Sequence, residues 1–303
     1  MRLLTNTWKN KTLLLMCLPA LILYIMFSYI PMFGLVLAFK DYKLSEGILG
    51  SPWVGMKNFR LLWVNLDNTL RLLRNTVGYY LLFTAVNLVG KIAIAIGINE
   101  FVRKKTGRLF QTLMILPTFI TYVAVSIIAY AFLAPDGIVN GVIESIGGTA
   151  INFYMDPGPW PIVLTVIQAW KGWGYGSVLY LSVLAGIDQE MYEAAVLDGA
   201  NAWQKIRYIT IPMLIPMATV MTLMGLGGIM HSDTGLFYQV TKNMGTIRST
   251  TQVLDSYVMN AVMTGSDYGM TSAFTLFQSV VGCLMLLGVN SIVRRVDADS
   301  ALF

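Results

Sequence analysis

The sequence predicts an all-α integral membrane protein with six transmembrane helices. The chain has 303 residues, of which 56% are hydrophobic and only 12% are charged, and its mean hydropathy is +0.64. Such a composition leaves too little polar surface for a water-soluble globule. The apolar residues also fall in runs of about 20 or more, the length that crosses a hydrocarbon core about 30 Å thick. Each run should be helical, because a segment in lipid must satisfy its own backbone hydrogen bonds.

The predicted spans are residues 13–38, 76–99, 110–133, 159–184, 211–230 and 270–293. The first is expected to be retained rather than cleaved as a signal peptide, because its apolar run extends well past about 15 residues without a small-x-small cleavage site. Cys17 and Cys283 lie in the first and last spans with no Cys or His beside them. This placement favours small core residues over a metal site or a functional disulfide.

The distribution of Lys and Arg predicts that the N-terminus is cytoplasmic. In that orientation the cytoplasmic segments carry eleven of the 21 Lys and Arg residues and the outer loops carry eight. The turn-rich segments 134–159 and 231–269 are then extracellular, where soluble partners are expected. The net charge of +5 fits membrane anchoring, and no basic patch with interleaved aromatic residues indicates nucleic acid.

A polar segment between the fourth and fifth spans, residues 193–216, is the most informative part of the chain. It reads EAAVLDGANAWQKIRYITIPMLIP. The Ala-rich first half favours helix, the pair Asp198 and Gly199 is typical of a helix end, and a second amphipathic run begins at about Asn201. The pattern predicts two short helices around a Gly corner, with Pro212 at the entry to the next span, where a missing N–H costs least.

This segment resembles the EAA loop of the permease subunits of bacterial ABC importers. The residues at the family's spacing are Glu193, Ala194, Ala195, Gly199, Ile209 and Pro212, with Ile211 where Leu is usual. Other stretches resemble the MalF-like sugar-permease branch, and within it the LplB-like polysaccharide-oligomer group. They are IPMFGLVLAFKDY at 30–42, WVGMKNF at 53–59, ILPTFIT at 115–121, GLFYQVT at 235–241 and VLDSYV at 253–258.

The resemblance implies the type I, MetI-like permease fold. Residues 1–75 would hold the N-terminal tail, the first span and the first extracellular or interfacial segment. Residues 76–293 would form a five-helix core with a cytoplasmic loop at 186–212, and residues 294–303 a cytoplasmic tail. In the family this loop inserts into a cleft of the ATPase subunit. Glu193 would pair with a basic group there, Asp198 and Gly199 would set the corner, and Trp203, Ile206 and Ile209 would supply the apolar docking face.

The same resemblance implies the partners. One loop serves one ATPase, so a symmetric pair of ATPases requires a second permease or another copy of this chain. Because sugar permeases of this branch usually pair with a different subunit, we expect a pseudo-twofold heterodimer. It would work with two ATP-binding subunits and an extracellular solute-binding protein, in a bacterial cytoplasmic membrane with both termini cytoplasmic. The chain contains no GxxxxGK[ST], HExxH, CxxC or GxSxG motif, and its sole histidine, His231, has no evident catalytic partner. It is therefore expected to be no enzyme and to bind no cofactor or metal, with ATP and Mg on the partner ATPase.

Polar stripes inside apolar spans predict a substrate path. They comprise Thr84, Asn87 and Lys91 in the second span, Gln168, Lys171 and Tyr175 in the fourth, with Trp170, Trp173 and Ser177 beside them, and Thr271, Thr275, Gln278 and Gly282 in the sixth. A cation in mid-span costs about 2.5 to 3.5 kcal/mol and normally faces a cavity or a partner. Indole rings beside hydrogen-bonding groups suit a sugar, although Trp170 and Trp173 could equally pack between helices or lie in an aromatic belt.

The predicted cargo is an oligosaccharide. Two buried lysines raise the hypothesis that it is acidic, such as a uronic-acid oligosaccharide, and pairing of a lysine with an inward Asp of a second permease is the competing explanation. The alternatives are an ABC permease for a peptide, amino acid or anion, and an ion-coupled secondary transporter, which needs buried carboxylates or unwound helices. A membrane-embedded enzyme would need clustered His, Asp or Glu within the spans, and these are nearly absent.

Overall fold

The chain folds as the all-α protein that the sequence predicts. The computed structural model describes residues 11–101, 104–265 and 267–296. In this described part no strand is present, apart from one isolated bridge between Lys40 and Trp53. The tails predicted to be cytoplasmic at the two ends fall mostly outside the described residues.

The helices are numbered here in chain order. They are α1 Lys11–Tyr24, α2 Gly47–Gly50, α3 Lys57–Val64, α4 Leu66–Phe101, α5 Lys104–Ile115, α6 Tyr122–Leu133, α7 Ile138–Ser145, α8 Trp160–Ala185, α9 Gln189–Leu197, α10 Ala202–Lys205, α11 Ile211–Leu226, α12 Arg248–Thr251, α13 Leu254–Met263 and α14 Tyr268–Val296. Segments of π- or 3₁₀-helix lie at Ile25–Tyr29, Ile30–Phe39, Leu116–Phe119, Ile206–Thr210, Gly235–Val240 and Gly245–Ile247.

Five helical segments are long and apolar enough to cross a membrane. They are Leu15–Phe39, Leu66–Glu100, Tyr122–Ser145, Ala202–Leu226 and Tyr268–Arg295. The predicted fourth span forms helix α8, whose 26 residues reach about 39 Å at 1.5 Å per residue. Helix α8 thus has the length of a span, but with Gln168, Lys171 and its glycines it is not among the five most apolar stretches above.

The predicted third span, residues 110–133, is not one continuous helix. Helix α5 ends at Ile115, a 3₁₀ turn covers Leu116–Phe119, and α6 begins only after Thr121, whose side chain caps it. Pro117 lies in the turn, where its missing N–H and its restriction of the preceding residue end the helix. The prediction of an unbroken span is therefore wrong at this point.

The predicted second short helix of the polar segment and the fifth span form one continuous helical stretch, Ala202–Leu226. A π turn at Ile206–Thr210 joins α10 to α11, and the Ile211 N–H donates to the carbonyl of Ile206. Pro212 is the second residue of α11, so the prediction that it stands at the entry to the fifth span is confirmed. The sequence did not indicate that the helical stretch continues back to Ala202. The π turn allows this continuation, because it rearranges the backbone bonds just where the N–H of Pro212 is missing.

Two compact units divide the chain. The smaller unit contains the residues up to Leu66 together with Ala261–Phe277. In it, the side-chain amide of Asn58 donates to the carbonyls of Ala38 at 3.0 Å and Lys40 at 2.9 Å. The buried Lys40 ammonium in turn donates to the carbonyls of Ile48 and Leu49. These bonds fix the segment that follows the first span.

The larger unit contains Asp67–Asn260 and the chain from Gln278 onward. One buried cluster surrounds the fully buried Trp160, whose indole N–H donates to the carbonyl of Phe153 at 2.6 Å. A second cluster packs helices α4, α8 and α11 together with the π turn before α11. Its buried members are Ala95, Ile96, Tyr180, Leu184, Ile206 and Leu214.

Cys17 and Cys283 are free and exposed, so the prediction that they are core residues is wrong. In a bilayer the outer face of a helix is as apolar as its packed face. An apolar run therefore does not show which of its small residues point inward.

Candidate functional site

The polar segment between α8 and α11 forms a corner at Gly199. Asp198 ends α9, Gly199 adopts a φ of +82°, and the next helix starts from Asn201. Asn201 and Gln204 make a capping box, with the two side chain to backbone bonds measuring 2.9 and 2.8 Å. Asp188 caps the start of α9 through the Glu190 N–H. The corner is thus held by local caps that the sequence itself supplies.

The exposed face of this corner differs from the predicted one. Glu193 and Ala194 are exposed and Ala195 is half-buried. Trp203 is exposed, as predicted for the docking face, but Ile206 is only 6% exposed because the π turn directs it into the second buried cluster. The prediction that Ile206 belongs to an exposed apolar face is therefore wrong, and Ile209 is half-buried. The most exposed apolar side chains of the segment are Leu197 at 88%, Tyr208 at 69% and Trp203 at 66%.

A cavity of about 320 Å³ lies inside the larger unit. Its lining contains both aromatic and polar side chains, and they come from α4, α8, α11 and the segment 228–237. Its lining comprises Tyr79, Tyr80, Phe83, Thr84, Asn87, Leu88, Lys91, Gln168, Tyr180, Met221, Thr222, Gly225, Gly228, His231, Ser232, Asp233 and Phe237.

Asn87, Lys91 and Gln168 face this cavity, as we expect of a substrate path. The lining includes buried polar atoms without a hydrogen-bond partner among the described residues, among them the side-chain oxygen of Asn87 and the hydroxyl of Tyr79. An unpaired polar group of this kind is costly unless a ligand or water binds it. The cavity wall therefore offers both apolar ring faces and hydrogen-bonding groups.

Lys171 lies on the same helix as Gln168 but does not line the cavity. It is 8% exposed, and its ammonium donates to the carbonyls of Pro117, Thr118 and Ile120 at the helix break before α6. Within this chain Lys171 is therefore held by carbonyls of the broken third span and does not face the cavity that Asn87, Lys91 and Gln168 line. Sequence periodicity alone does not reveal these carbonyls.

The predicted aromatic residues of α8 also lie elsewhere. Trp173 packs so closely on Gly90 of α4 that a β-carbon at Gly90 would overlap the indole ring. Trp170 is 43% exposed and Tyr175 is 63% exposed, and neither lines the cavity. Of the readings open for the tryptophans, the structure supports packing between helices for Trp173.

The predicted residues of the last span are engaged in other contacts. Gln278 is 1% exposed, and its amide donates to the carbonyl of Met230 at 2.7 Å and to Asp255 at 3.3 Å. Thr275 lies in the smaller unit, where its hydroxyl donates to the carbonyl of Thr271. Neither residue belongs to the cavity lining.

Sequence reasoning missed the segment after α11 as a cavity wall. His231, Ser232, Asp233 and Phe237 all line the cavity. Asp233 accepts the N–H groups of Gly235 and Leu236 at the start of the π turn. The available signal was the Asp-Thr-Gly turn at 233–235, since aspartate often binds backbone N–H groups two residues on.

His231 has a neighbour that the sequence did not indicate. Its Nδ1 lies 3.5 Å from Asp255, which also accepts the backbone N–H of Ser232 at 2.6 Å. The hydrogen bond to Asp255 raises the pKa of His231 above its usual value, although partial burial opposes the shift. The pair ties the cavity-lining loop to the start of α13.

Several helices long enough to span a membrane, together with a cavity lined by ring and hydrogen-bonding side chains, are the architecture of a membrane transport subunit. The chain belongs to the family described as the binding-protein-dependent transport system inner membrane component, whose model matches residues 87–298. The family prediction and the type I ABC importer permease fold are thereby confirmed, and the chain is a multi-pass membrane protein. Membership in a family of transport components excludes the enzyme alternative and leaves no basis for the ion-coupled one.

Two relatives from Bacillus subtilis (strain 168) match nearly the whole chain. Protein LplB is 32% identical over 292 residues, covering 96% of this chain and 91% of that protein. The polygalacturonan/rhamnogalacturonan transport system permease protein YteP is 31% identical over 296 residues, covering 97% of this chain and 91% of that protein. The resemblance to the LplB-like group is confirmed.

Solved structures agree with this assignment. A crystal structure of a bacterial ABC transporter involved in the import of the acidic polysaccharide alginate matches with a TM-score of 0.86 and 29% identity, over 98% of this chain and 100% of that chain. A second structure, of a bacterial alginate ABC transporter in complex with alginate pentasaccharide-bound periplasmic protein, matches with a TM-score of 0.85, 29% identity and 98% coverage of both chains.

Proposed function

We propose that this chain forms half of the translocation pathway of an ATP-driven, binding-protein-dependent importer of oligosaccharides. The observation that carries the proposal is the cavity, where Tyr79 and Phe83 lie beside Asn87 and Gln168. Aromatic rings stack on the apolar C–H faces of a sugar, and amide groups bind its hydroxyl rim. The named cargoes of the relatives, among them polygalacturonan and alginate, belong to this chemical class.

The cargo we infer is acidic and contains uronic-acid units. Lys91 lines the cavity from within a membrane-spanning helix, and among the described residues no carboxylate forms an ion pair with it. An intramembrane cation with no fixed anion is suited to an anionic ligand. Asp233 is the opposing charge in the lining, and its acceptance of two backbone N–H groups holds its carboxylate toward the π turn.

Uptake by the assembled transporter tests the cargo. Complexes reconstituted in liposomes with internal ATP should take up a uronate oligosaccharide, and K91M should lower that uptake about tenfold while changing uptake of a neutral oligosaccharide of equal length far less. The exposed Lys57, outside the cavity, provides the charge-matched control K57M. Equal uptake of both cargoes by K91M would refute the acidic cargo, and uptake of a peptide, amino acid or phosphate instead would refute the sugar.

ATP and Mg, on this proposal, bind to a separate ATPase subunit that docks on residues 186–212. Support comes from the exposed carboxylate of Glu193 and the exposed apolar side chains of Leu197, Trp203 and Tyr208. A corner this apolar, presented outside a span, is typical of a protein interface. Glu193 pairs with a basic group of the ATPase, Asp198 and Gly199 set the corner, and Ala194, Ala195 and Ile209 support it.

Co-purification tests the docking surface. L197D and W203D should each abolish recovery of the ATPase with the permease, because a buried unpaired charge at an interface centre is costly. Leu44 is equally exposed at 85% but lies in the segment predicted to be extracellular, so L44D is the matched control. Normal recovery of the ATPase with L197D would place the interface elsewhere.

The remaining partners follow from symmetry. A second permease completes a pseudo-twofold heterodimer with two ATPases, and a solute-binding protein delivers cargo on the extracellular side, with both termini cytoplasmic in a bacterial cell membrane. The solved alginate transporter complex contains a periplasmic protein bound to an alginate pentasaccharide, and this supports the solute-binding protein as a partner. A cysteine placed at Leu197 should react with an impermeant maleimide only in inside-out vesicles; labelling in intact cells would reverse the orientation.

A further inference from the structure

The break between α5 and α6 interrupts the regular helical hydrogen bonding. Pro117 lies in the 3₁₀ turn Leu116–Phe119, where its carbonyl accepts the N–H of Ile120 at 3.2 Å, and regular helix resumes only at Tyr122. Irregular backbone at membrane depth is tolerated only where protein groups or water satisfy it. Because a carbonyl oxygen has two lone pairs, the carbonyls at the break can take a further donor from another helix.

Lys171 supplies that donor from helix α8. Its ammonium donates to the carbonyl of Pro117 at 3.0 Å, to that of Thr118 at 3.4 Å and, at closer range, to that of Ile120. The bond is reciprocated, because the Thr118 hydroxyl donates to the backbone carbonyl of Lys171 at 2.7 Å. Three carbonyls match the three N–H donors of an ammonium, so its hydrogen-bonding capacity is filled.

Close helix contact makes this arrangement possible. Gly174, one turn further along α8, lies so near α5 that a β-carbon there would overlap the carbonyl of Met114. The ring of Tyr122 lies 4.8 Å from the ammonium, close enough for a cation–π contact. Among the described residues no carboxylate forms an ion pair with Lys171. The ammonium is therefore stabilised by three carbonyl dipoles, the ring of Tyr122 and the nearby charge of Asp233, all within this chain.

Tyr122 extends the arrangement to the cavity wall. Its hydroxyl donates to Gln168 Oε1 at 3.4 Å, and Gln168 lines the cavity. On its other side the ring lies against Gly235, where a β-carbon would overlap it. Gly235 begins the π turn that Asp233 caps, and Asp233 also lines the cavity. One side chain thus contacts the helix break, α8 and the loop after α11.

We propose that Lys171 is a positioning residue of the pathway: it holds the helix break so that Tyr122 fixes the Gln168 side of the cavity, and it does not contact cargo. The proposal rests on the function proposed above. It separates the roles of the two lysines in the spans, because Lys91 faces the cavity while Lys171 acts through Tyr122.

Two variants in the assembled transporter test this role. K171M keeps the length and apolar stem of the side chain but removes the donors. Y122F keeps the ring but removes the hydroxyl, and with it the bond to Gln168 and the interaction with Asp233. Hydrogen exchange of the amides in residues 118–124, measured in nanodiscs, should rise about tenfold in K171M and stay unchanged in Y122F. Uptake of acidic and neutral oligosaccharides should fall by the same factor, about fivefold or more, in both variants.

Three results would overturn the proposal. Selective loss of acidic cargo in K171M would make Lys171 a cargo contact, and unchanged exchange would show that it does not hold the break. Wild-type uptake by Y122F would reduce Lys171 to a purely structural group. Failure of the wild-type complex to import any oligosaccharide would refute the proposed function. The hydrogen-exchange measurement needs no cargo, so it would still test whether Lys171 holds the helix break.

Discussion

The hydroxyl of Tyr192 lies 3.0 Å from Oγ1 of Thr210. Tyr192 belongs to α9, on the exposed corner, whereas Thr210 is fully buried at the end of the π turn that leads into α11. The bond therefore joins the segment that we propose as the ATPase dock directly to the helix of the fifth span. It bypasses the turn at Gly199 and provides a short mechanical connection between them.

Removing this bond should weaken coupling more than folding. We expect Y192F and T210V each to lower the number of cargo molecules imported per ATP hydrolysed by about two- to tenfold, since one neutral hydrogen bond is worth about 0.5 to 1.5 kcal/mol. Uptake and phosphate release in the same proteoliposomes measure the ratio. Thr219 bonds only within its own helix, so T219V is the control. Unchanged ratios in both variants would exclude this connection.

Gly199 should be required for its backbone conformation rather than its small size. Its φ is +82°, and no atom lies within 4 Å of the position of a β-carbon. G199A should therefore destabilise the corner by about 1 to 2 kcal/mol and reduce ATPase binding, while G199N should retain more of it because asparagine adopts this conformation more readily. Titration of purified ATPase onto the permease measures both affinities. Equal loss in the two variants would point to size instead.

Gly174 should be required for the opposite reason. A β-carbon there would overlap the Met114 carbonyl, so G174A must separate α8 from α5. Overpacking of this kind costs about 1 to 3 kcal/mol, which thermal unfolding in detergent should register as a lower Tm. Gly97 has open space at the same position, and G97A should leave the Tm unchanged or raise it slightly. A wild-type Tm for G174A would contradict the close contact.

The His231 and Asp255 pair should make stability depend on pH. The pKa of His231 is raised above 6.5 in the folded protein, so protonation favours folding. This contribution is fully present below pH 6.5 and is lost as the pH rises through the folded-state pKa. Its size should stay below about 1 kcal/mol, because the side chain of His231 is 46% exposed. Thermal unfolding from pH 5.5 to 8.5 should show the decline in wild type and its absence in H231Q; an identical decline in H231Q would assign it to another group.

Local features of the corner could be read directly from the sequence. The caps at Asn201 and the turn at Gly199 depend on residues a few positions apart, so composition and spacing are sufficient to indicate them. Ile206 could not be placed in this way. It is the first residue of the π turn, and its burial comes from packing in the cluster with α4 and α8, which a helix period of 3.6 residues does not indicate.

The residues predicted for the substrate path also divide into those that the sequence could place and those that it could not. Asn87, Lys91 and Gln168 could be predicted because polar side chains inside apolar helices seek a polar surrounding. Lys171 instead binds the backbone carbonyls at the helix break around Pro117, which lies some fifty residues earlier in the chain. No local pattern in α8 distinguishes a lysine that faces a cavity from one that faces a broken neighbouring helix.

The sequence by itself determined that the chain is helical and embedded in a membrane, where the corner at Gly199 lies, and to which family it belongs. Each of these depends on composition or on short-range spacing. Tertiary structure alone decided which polar groups share the cavity, because helix rotation and backbone breaks are set by packing between distant segments. In a bilayer the packed and lipid-facing sides of a helix are equally apolar, so the hydrophobic pattern does not show which side of each helix faces the cavity.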